Sequence, residues 1–195
     1  TYTGAATVSN AHTLDQLKTI NNGTSGTITL NDVSVALSGS TADVKAALDG
    51  TFAAAYTGNV TINDANGTGI AAADISTIAG DTTGTVTVSN NINITGTSAA
   101  IATAVGDVNT FSGTPTATLS NAHTLAQLKT INDATTGAIV LANAGVALSG
   151  TSSDLTAAFA GTVTAHTGTV GITNADYTLA ELVTINNASS GAITL

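Results

Sequence analysis

The chain has 195 residues, three lysines and 12 acidic residues, giving a net charge of −9 that opposes binding to nucleic-acid phosphates or to an anionic membrane surface. Mean hydropathy is +0.33, yet no stretch approaches the roughly 18–20 consecutive apolar residues that cross a bilayer. Charged residues are 8% against roughly 25% in an ordinary domain, Cys is absent, and Thr, Ala, Gly, Asn and Ser fill the space, so neither a disulfide framework nor a varied pocket is expected.

One short strand pattern recurs along the chain. Copies open at Gly4, Gly26, Gly58, Gly84, Pro115, Gly137, Gly168 and Gly191. Two residues past each opener stands a small or branched apolar residue: Ala6, Ile28, Val60, Val86, Ala117, Ile139, Val170 and Ile193. Two further on stands a larger one: Val8, Leu30, Ile62, Val88, Leu119, Leu141, Ile172 and Leu195. A period of two puts both columns on one strand face. On the opposite face stand Thr7, Thr29, Thr61, Thr87, Thr118 and Thr194, with Val140 and Gly171 interrupting. After each complete copy comes Asn10, Asp32, Asp64, Asn90, Asn121, Asn143 or Asn174, residue types whose side chains bond turn backbone groups. Stacked turns of this kind predict an Asx ladder.

Taken in chain order, the first crossover reads TLDQLKTINNG over 13–23, and it returns as TLAQLKTINDA over 124–134 and TLAELVTINNA over 178–188. Leu14, Leu17 and Ile20 fall at helical spacing, and the pairs Thr13/Gln16, Thr124/Gln127 and Thr178/Glu181 have capping-box form. The second crossover adds VALSG at 35–39, repeated at 146–150, with NITG at 93–96 between them. It then predicts helices over 41–48, with Val44 and Leu48 inward, and over 153–159, with Leu155 and Phe159 inward. A diverged short helix over 69–80 keeps Ile75 and Ile78. Helix-bearing crossovers join parallel strands. The chain therefore reads as one repeat array over 1–195, a right-handed α/β solenoid of eight short parallel strands with alternating short and long crossovers.

Strands stack about 4.8 Å apart and helices need roughly 8–10 Å. If the two crossover types form separate rows, each helix has about 9.6 Å of rise and a nearly straight rod results. If they share one row, that argument fails. The two ends read as uncapped, which points to a longer array or to end-to-end self-association.

No reaction is legible. His12 and His123 sit in the repeated SNAHTL, but Tyr177 occupies the same place before Thr178, and His166 aligns with Tyr2 and Tyr56. A position that accepts Tyr reads as packing at a helix entrance. Lys18, Lys45 and Lys129 read as isolated residues on solvated helix faces. The acidic residues lack calcium-loop spacing, so no cofactor is expected, and calcium at Asp32 and Asp64 is the one cation left open. NGTGIAAAD at 66–74 lacks G-x-G-x-x-G and G-K-[ST] and reads as a loop insertion rather than a phosphate loop. An enzyme is not expected.

The threonine column, with TIT at 27–29 and TVT at 85–87, resembles the ice-binding face of β-solenoid antifreeze proteins. The repeat as a whole, carried by YTGAATVSNAHTLDQLKTINN at 2–22 and GTITLNDVSVALSGSTADVKAALDGTF at 26–52, resembles the Ala/Thr/Gly/Asn-rich arrays of very large secreted bacterial surface proteins, including those of cyanobacteria. That resemblance implies export and a structural or adhesive role at the cell surface or in extracellular fibres. The expectation is a stiff extracellular filament, fibre or surface layer. The alternative is an adhesin-type module presenting Thr/Asn-rich faces to glycan, ice or a cell surface.

Overall fold

The computed structural model describes residues 2–195. In chain order run β1 (Ala6–Val8), α1 (Leu14–Gly23), β2 (Ile28–Leu30), β3 (Leu37–Gly39), α2 (Thr41–Leu48), β4 (Val60–Ile62), β5 (Gly69–Ala71), α3 (Ala72–Asp81), β6 (Val86–Val88) and β7 (Asn93–Gly96). They are followed by α4 (Ser98–Asp107), β8 (Thr110–Phe111), β9 (Thr116–Leu119), α5 (Leu125–Ala134), β10 (Ile139–Leu141), β11 (Leu148–Gly150), α6 (Ser152–Ala158), β12 (Val170–Ile172), α7 (Leu179–Ala188) and β13 (Ile193–Thr194). The protein is α/β, with parallel strands in several sheets, seven helices among the described residues, and no sheet closed into a barrel. Two compact units are present: Thr1–Asn91 with Asp107–Gly113, and Ile92–Gly106 with Thr114–Leu195.

All eight copies of the repeated pattern form strands, but they do not form one column. In the first unit β1 pairs with β2, and a second ladder runs β3, β4, β6, β8. In the second unit β7, β9 and β10 are successive neighbours, and β11, β12, β13 form another ladder. The VALSG and NITG pieces, expected as extras within a long crossover, are the strands β3, β7 and β11, each the direct partner of the next repeated strand. Paired residues lie 22 to 26 positions apart throughout, from Ala6 facing Ile28 to Val60 facing Val86. The alternation of short and long intervals stands, and what is corrected is the content of the long ones: each holds a further paired strand, β3, β7 or β11.

The helices correct the straight-rod argument as well. In the first unit α1 packs on α2 and α2 on α3; in the second α5 packs on α6 and α6 on α7. Helices of short and long crossovers thus alternate within one succession, and the premise of separate rows is not met in either unit. The 66–74 segment is corrected too, since Gly69–Ala71 is strand β5 leading directly into α3, and only its start is a turn, with Gly67 at φ 78°. Helix α4 was not legible, because its buried side chains Ile101, Ala104 and Val105 are embedded in a run of Ala and Thr without an acidic capping signal.

Local chemistry explains the elements. The capping boxes at Thr13, Thr124 and Thr178 are formed in full, and Ser40 and Thr151 accept from Asp43 N and Asp154 N. The opener glycines lie where chain crosses chain: a Cβ on Gly26 would run into the Gly4 carbonyl, and one on Gly84 into the Gly58 carbonyl. The apolar columns make the core. Val60, Ile62 and Val88 on strands and Leu17, Val44, Ile75 and Ile78 on helices are essentially fully buried in the first unit, as are Ala117, Leu119, Leu128, Leu155 and Ile185 in the second. Each buried branched side chain contributes roughly 1.5–3 kcal/mol.

Candidate functional site

Two recurring polar arrangements stand out, one at the turns and one in the core. At the turns, the seven Asx residues divide by role. Asp64 Oδ2 accepts from Thr41 N at 2.7 Å and from Thr41 Oγ1 at 2.6 Å, 23 residues back in sequence. Asn121 Oδ1 accepts from Ser98 N at 2.8 Å, and Asn174 Oδ1 from Ser152 N at 2.7 Å, 23 and 22 residues back. Each of these three binds the first residue of a preceding helix, where backbone N–H groups lack an intrahelical partner. Asp32 and Asn143 instead close their own turns, accepting from Ser34 N and Oγ and from Gly145 N. Asn90 donates back to the carbonyls of Asn63 and Asp64. Asn10 lines an open groove of about 580 Å³ between β1 and α1. The contacts run from side chain to neighbouring backbone or hydroxyl groups, and Asn174 also donates to Ser152 Oγ and Asp176 Oδ1; no bond joins one member of the set to another's side chain among those described.

The residues capped in this way, Thr41, Ser98 and Ser152, are buried. Sequence reading passed over them, although each follows the short run SGS, TGT or SGT that ends a β3-type strand. Ser98 ties its unit together further: its Oγ lies 2.9 Å from Ala122 O and 3.0 Å from Gln127 Oε1, so its one proton is shared between the two acceptors.

In the core, His12 Nε2 lies 3.1 Å from Tyr56 Oη, and Tyr56 Oη donates to Val35 O at 2.5 Å. Phe52 packs on Tyr56 with ring centroids 6.3 Å apart. The second unit has a related arrangement with the aromatic moved: His123 and His166 rings lie 6.2 Å apart, and Phe159, at the place of Leu48, packs on His166 at 5.3 Å while Val163 takes the place of Phe52. His166 stands where Tyr56 stood, and a shorter side chain leaves both nitrogens of His123 and of His166 without hydrogen-bond partners among the described residues. Burial lowers the pKa of all three histidines; Asp32 opposes the shift at His12, a charged His166 further disfavours protonation of His123, and the Val146 carbonyl, outside hydrogen-bond geometry, opposes it at His166. Burial likewise pushes the Tyr56 phenol up to about 12.

The threonine faces follow the ladders. Thr7 faces Thr29, and in the second ladder Ser38, Thr61, Thr87 and Thr110 stand in register as a four-rung hydroxyl column. In the second unit Thr118 lies between Thr95 and Val140, and Thr116 and Thr118 both donate to Asn93 Oδ1 at 3.2 and 3.1 Å. Thr194 faces Gly171. The lysines are not isolated, which corrects the sequence reading: Lys18 pairs with Asp43 at 2.6 Å, Lys45 with Asp74 at 2.5 Å, and Lys129 with Asp133 at 3.2 Å. The first two pairs join neighbouring helices, and the charged partner holds the Lys18 and Lys45 ammonium pKa above its ordinary value.

Among the described residues no three His, Asp or Glu side chains come together in a metal-holding group, and no helix is long and apolar enough to cross a membrane. Comparison with known proteins finds no matching family model, no matching curated protein and no matching solved structure.

Proposed function

We propose that this chain is a structural repeat protein, a right-handed α/β solenoid segment whose coils build a stiff extracellular filament, fibre or surface layer. The observation that carries the reading is the constant register: every ladder step, in both units, joins residues 22 to 26 positions apart, as Leu37 joins Val60 and Leu148 joins Val170. A chain returning to its own edge at a fixed interval is what stacked coils require. The repeated polar contacts support it, because Asp64, Asn121 and Asn174 each bind one interval back. Function then resides in length and stiffness. Assembly is by continuation of the same chain or by self-association end to end.

Electron microscopy and fibre diffraction of native material test this. Thin continuous filaments with a reflection near 4.8 Å along the axis are expected. Short isolated particles with no axial stacking would refute it.

The in-register column Ser38, Thr61, Thr87 and Thr110 favours a second reading, an adhesin-type module presenting hydroxyls to glycan, ice or a cell surface. Ice-recrystallisation and glycan-binding assays separate the two: activity lost on replacing Thr61 and Thr87 by Val, with filaments intact, would assign the column a ligand.

A further inference from the structure

The interiors of the two units treat one packing position differently, and the difference defines a site. In the first unit Tyr56 Oη lies 3.1 Å from His12 Nε2 and donates to Val35 O, so one hydroxyl links a ring nitrogen to a carbonyl. In the second unit the corresponding residues are His166, His123 and Val146. His166 and His123 are 0% and 3% exposed, and all four of their ring nitrogens lack a hydrogen-bond partner among the described residues. His12 leaves only its Nδ1 in that condition. Buried polar groups are nearly always partnered, by protein or by ordered water. Four such atoms on two adjoining rings therefore mark a place that takes a guest.

We propose that His123, His166 and the Val146 carbonyl form an internal binding site for one water molecule, which takes the part that the Tyr56 hydroxyl plays in the first unit. Burial disfavours the charged form of both rings, and a neutral imidazole offers one N–H donor and one acceptor nitrogen. The water accepts from the N–H of one ring, donates to the bare nitrogen of the other, and donates its second proton to Val146 O. Three bonds are the usual number for a buried water. An oxygen about 2.9 Å from one nitrogen of each ring is compatible with ring centroids 6.2 Å apart. The Val146 carbonyl stands close enough to His166 to act on its charge yet makes no direct bond with it, a relation that a bridging oxygen completes. A neutral guest suits these donors better than a cation. Asp32, the carboxylate that acts on His12, has Asn143 in its place, and a buried charge without a paired anion is costly. With the water bound, each histidine of the pair keeps one unpartnered nitrogen, as His12 does. Neither a filament nor a ligand-binding surface is required for this site.

A crystal structure of the whole chain tests it directly. One ordered water is expected at about 2.7–3.2 Å from a nitrogen of His123, a nitrogen of His166 and Val146 O. Water-oxygen relaxation dispersion, which counts long-lived internal waters, gives the readout in solution. His166→Tyr should lose one such water, because the phenol hydroxyl takes its place, and Tyr56→His should gain one between His12 and Val35 O. The second substitution keeps the site testable if the first does not fold. The proposal is overturned by a structure with no density between the rings, or with the two rings bonded directly to each other. Density at about 2.0–2.1 Å from the nitrogens, the distance of a coordinated zinc, overturns it too, as does a dispersion amplitude that neither substitution changes.

Discussion

Replacing Asp64 by Ala should cost far more than replacing Asp32, although both occupy the same place in the repeat. Asp64 supplies two short acceptor contacts to Thr41, at 2.7 and 2.6 Å, and Thr41 is 6% exposed. Its removal leaves a buried N–H and a buried hydroxyl unpaired at the start of α2. Hydrogen bonds to charged groups contribute about 1.5–3 kcal/mol, and losing a helix N-terminal cap costs about 1 kcal/mol. These overlap, so the expected loss is about 2–3 kcal/mol. In urea, with a slope of about 1–3 kcal/mol/M, the midpoint of the first unit should fall by about 1 M. Asp32 accepts only from Ser34 in an exposed turn, and Asp32→Ala should move the midpoint much less. Asp64→Asn keeps an acceptor, as Asn121 and Asn174 do at the equivalent places, and should retain most of the stability. The reasoning fails if Asp64→Ala and Asp32→Ala cost the same, or if Asp64→Asn is as damaging as Ala.

The buried imidazoles give a pH dependence with a definite sign. Their folded pKa values lie below the ordinary 6.5, so the unfolded chain binds more protons once pH drops beneath that value, and stability falls as pH falls from about 7 toward the folded pKa. Carboxylates such as Asp43 and Glu181, held below their ordinary range by Lys18 and by Thr178, lose their contribution only at lower pH. His166→Tyr, copying the Tyr56 to Val35 bond, should flatten the melting temperature between pH 7 and 5 and raise it at both. Ser98→Ala, which removes the one hydroxyl proton shared by Ala122 O and Gln127 Oε1 and leaves the Thr124 N donation to Gln127 in place, should cost about 1–2 kcal/mol by urea denaturation. Gly84→Ala should cost about 1–3 kcal/mol, the usual range for overpacking, because its Cβ meets the Gly58 carbonyl; Gly80→Ala on α3, where nothing lies within 4 Å, is the control and should be neutral or stabilising.

Period-two columns and capping boxes were legible because they are local. Ala6 to Val8, or Thr13 with Gln16, carry their own geometry within a few residues. Pairing was not local. That VALSG is a strand in its own right depends on Leu37 finding Val60, and nothing in five residues of sequence distinguishes that from a loop that merely packs. The same limit hid the capping role of Asp64: the residue type predicted a bond to turn backbone, but its partner Thr41 lies 23 residues away. Lys18 and Lys45 were misread for the same reason, since their carboxylates belong to the next helix.

The sidestep between ladders follows from two incompatible spacings. A strand rung advances about 4.8 Å, while neighbouring helices need roughly 8–10 Å. If every interval placed strand over strand and helix over helix, the helices would crowd. Between Ala6 and Ile28 the chain makes a rung with one strand before its helix; after β2 it makes a second strand, β3, before α2 begins. β4 then pairs with β3 rather than with β2. The same sequence of events follows β10, where β11 precedes α6 and receives β12. Glycine at the end of each such strand, Gly39 and Gly150, admits Leu14 and Leu125 from the previous helix. The LSG sequence is thus the place where each of these helices seats on the strand that leads to the next helix. Replacing Gly39 by Val should therefore disrupt α1 against α2 while leaving the β1–β2 pairing intact, a pattern that residue-level hydrogen exchange would read directly. Equal loss of protection at Thr29 and at Val44 would show that the two spacings are not decoupled there.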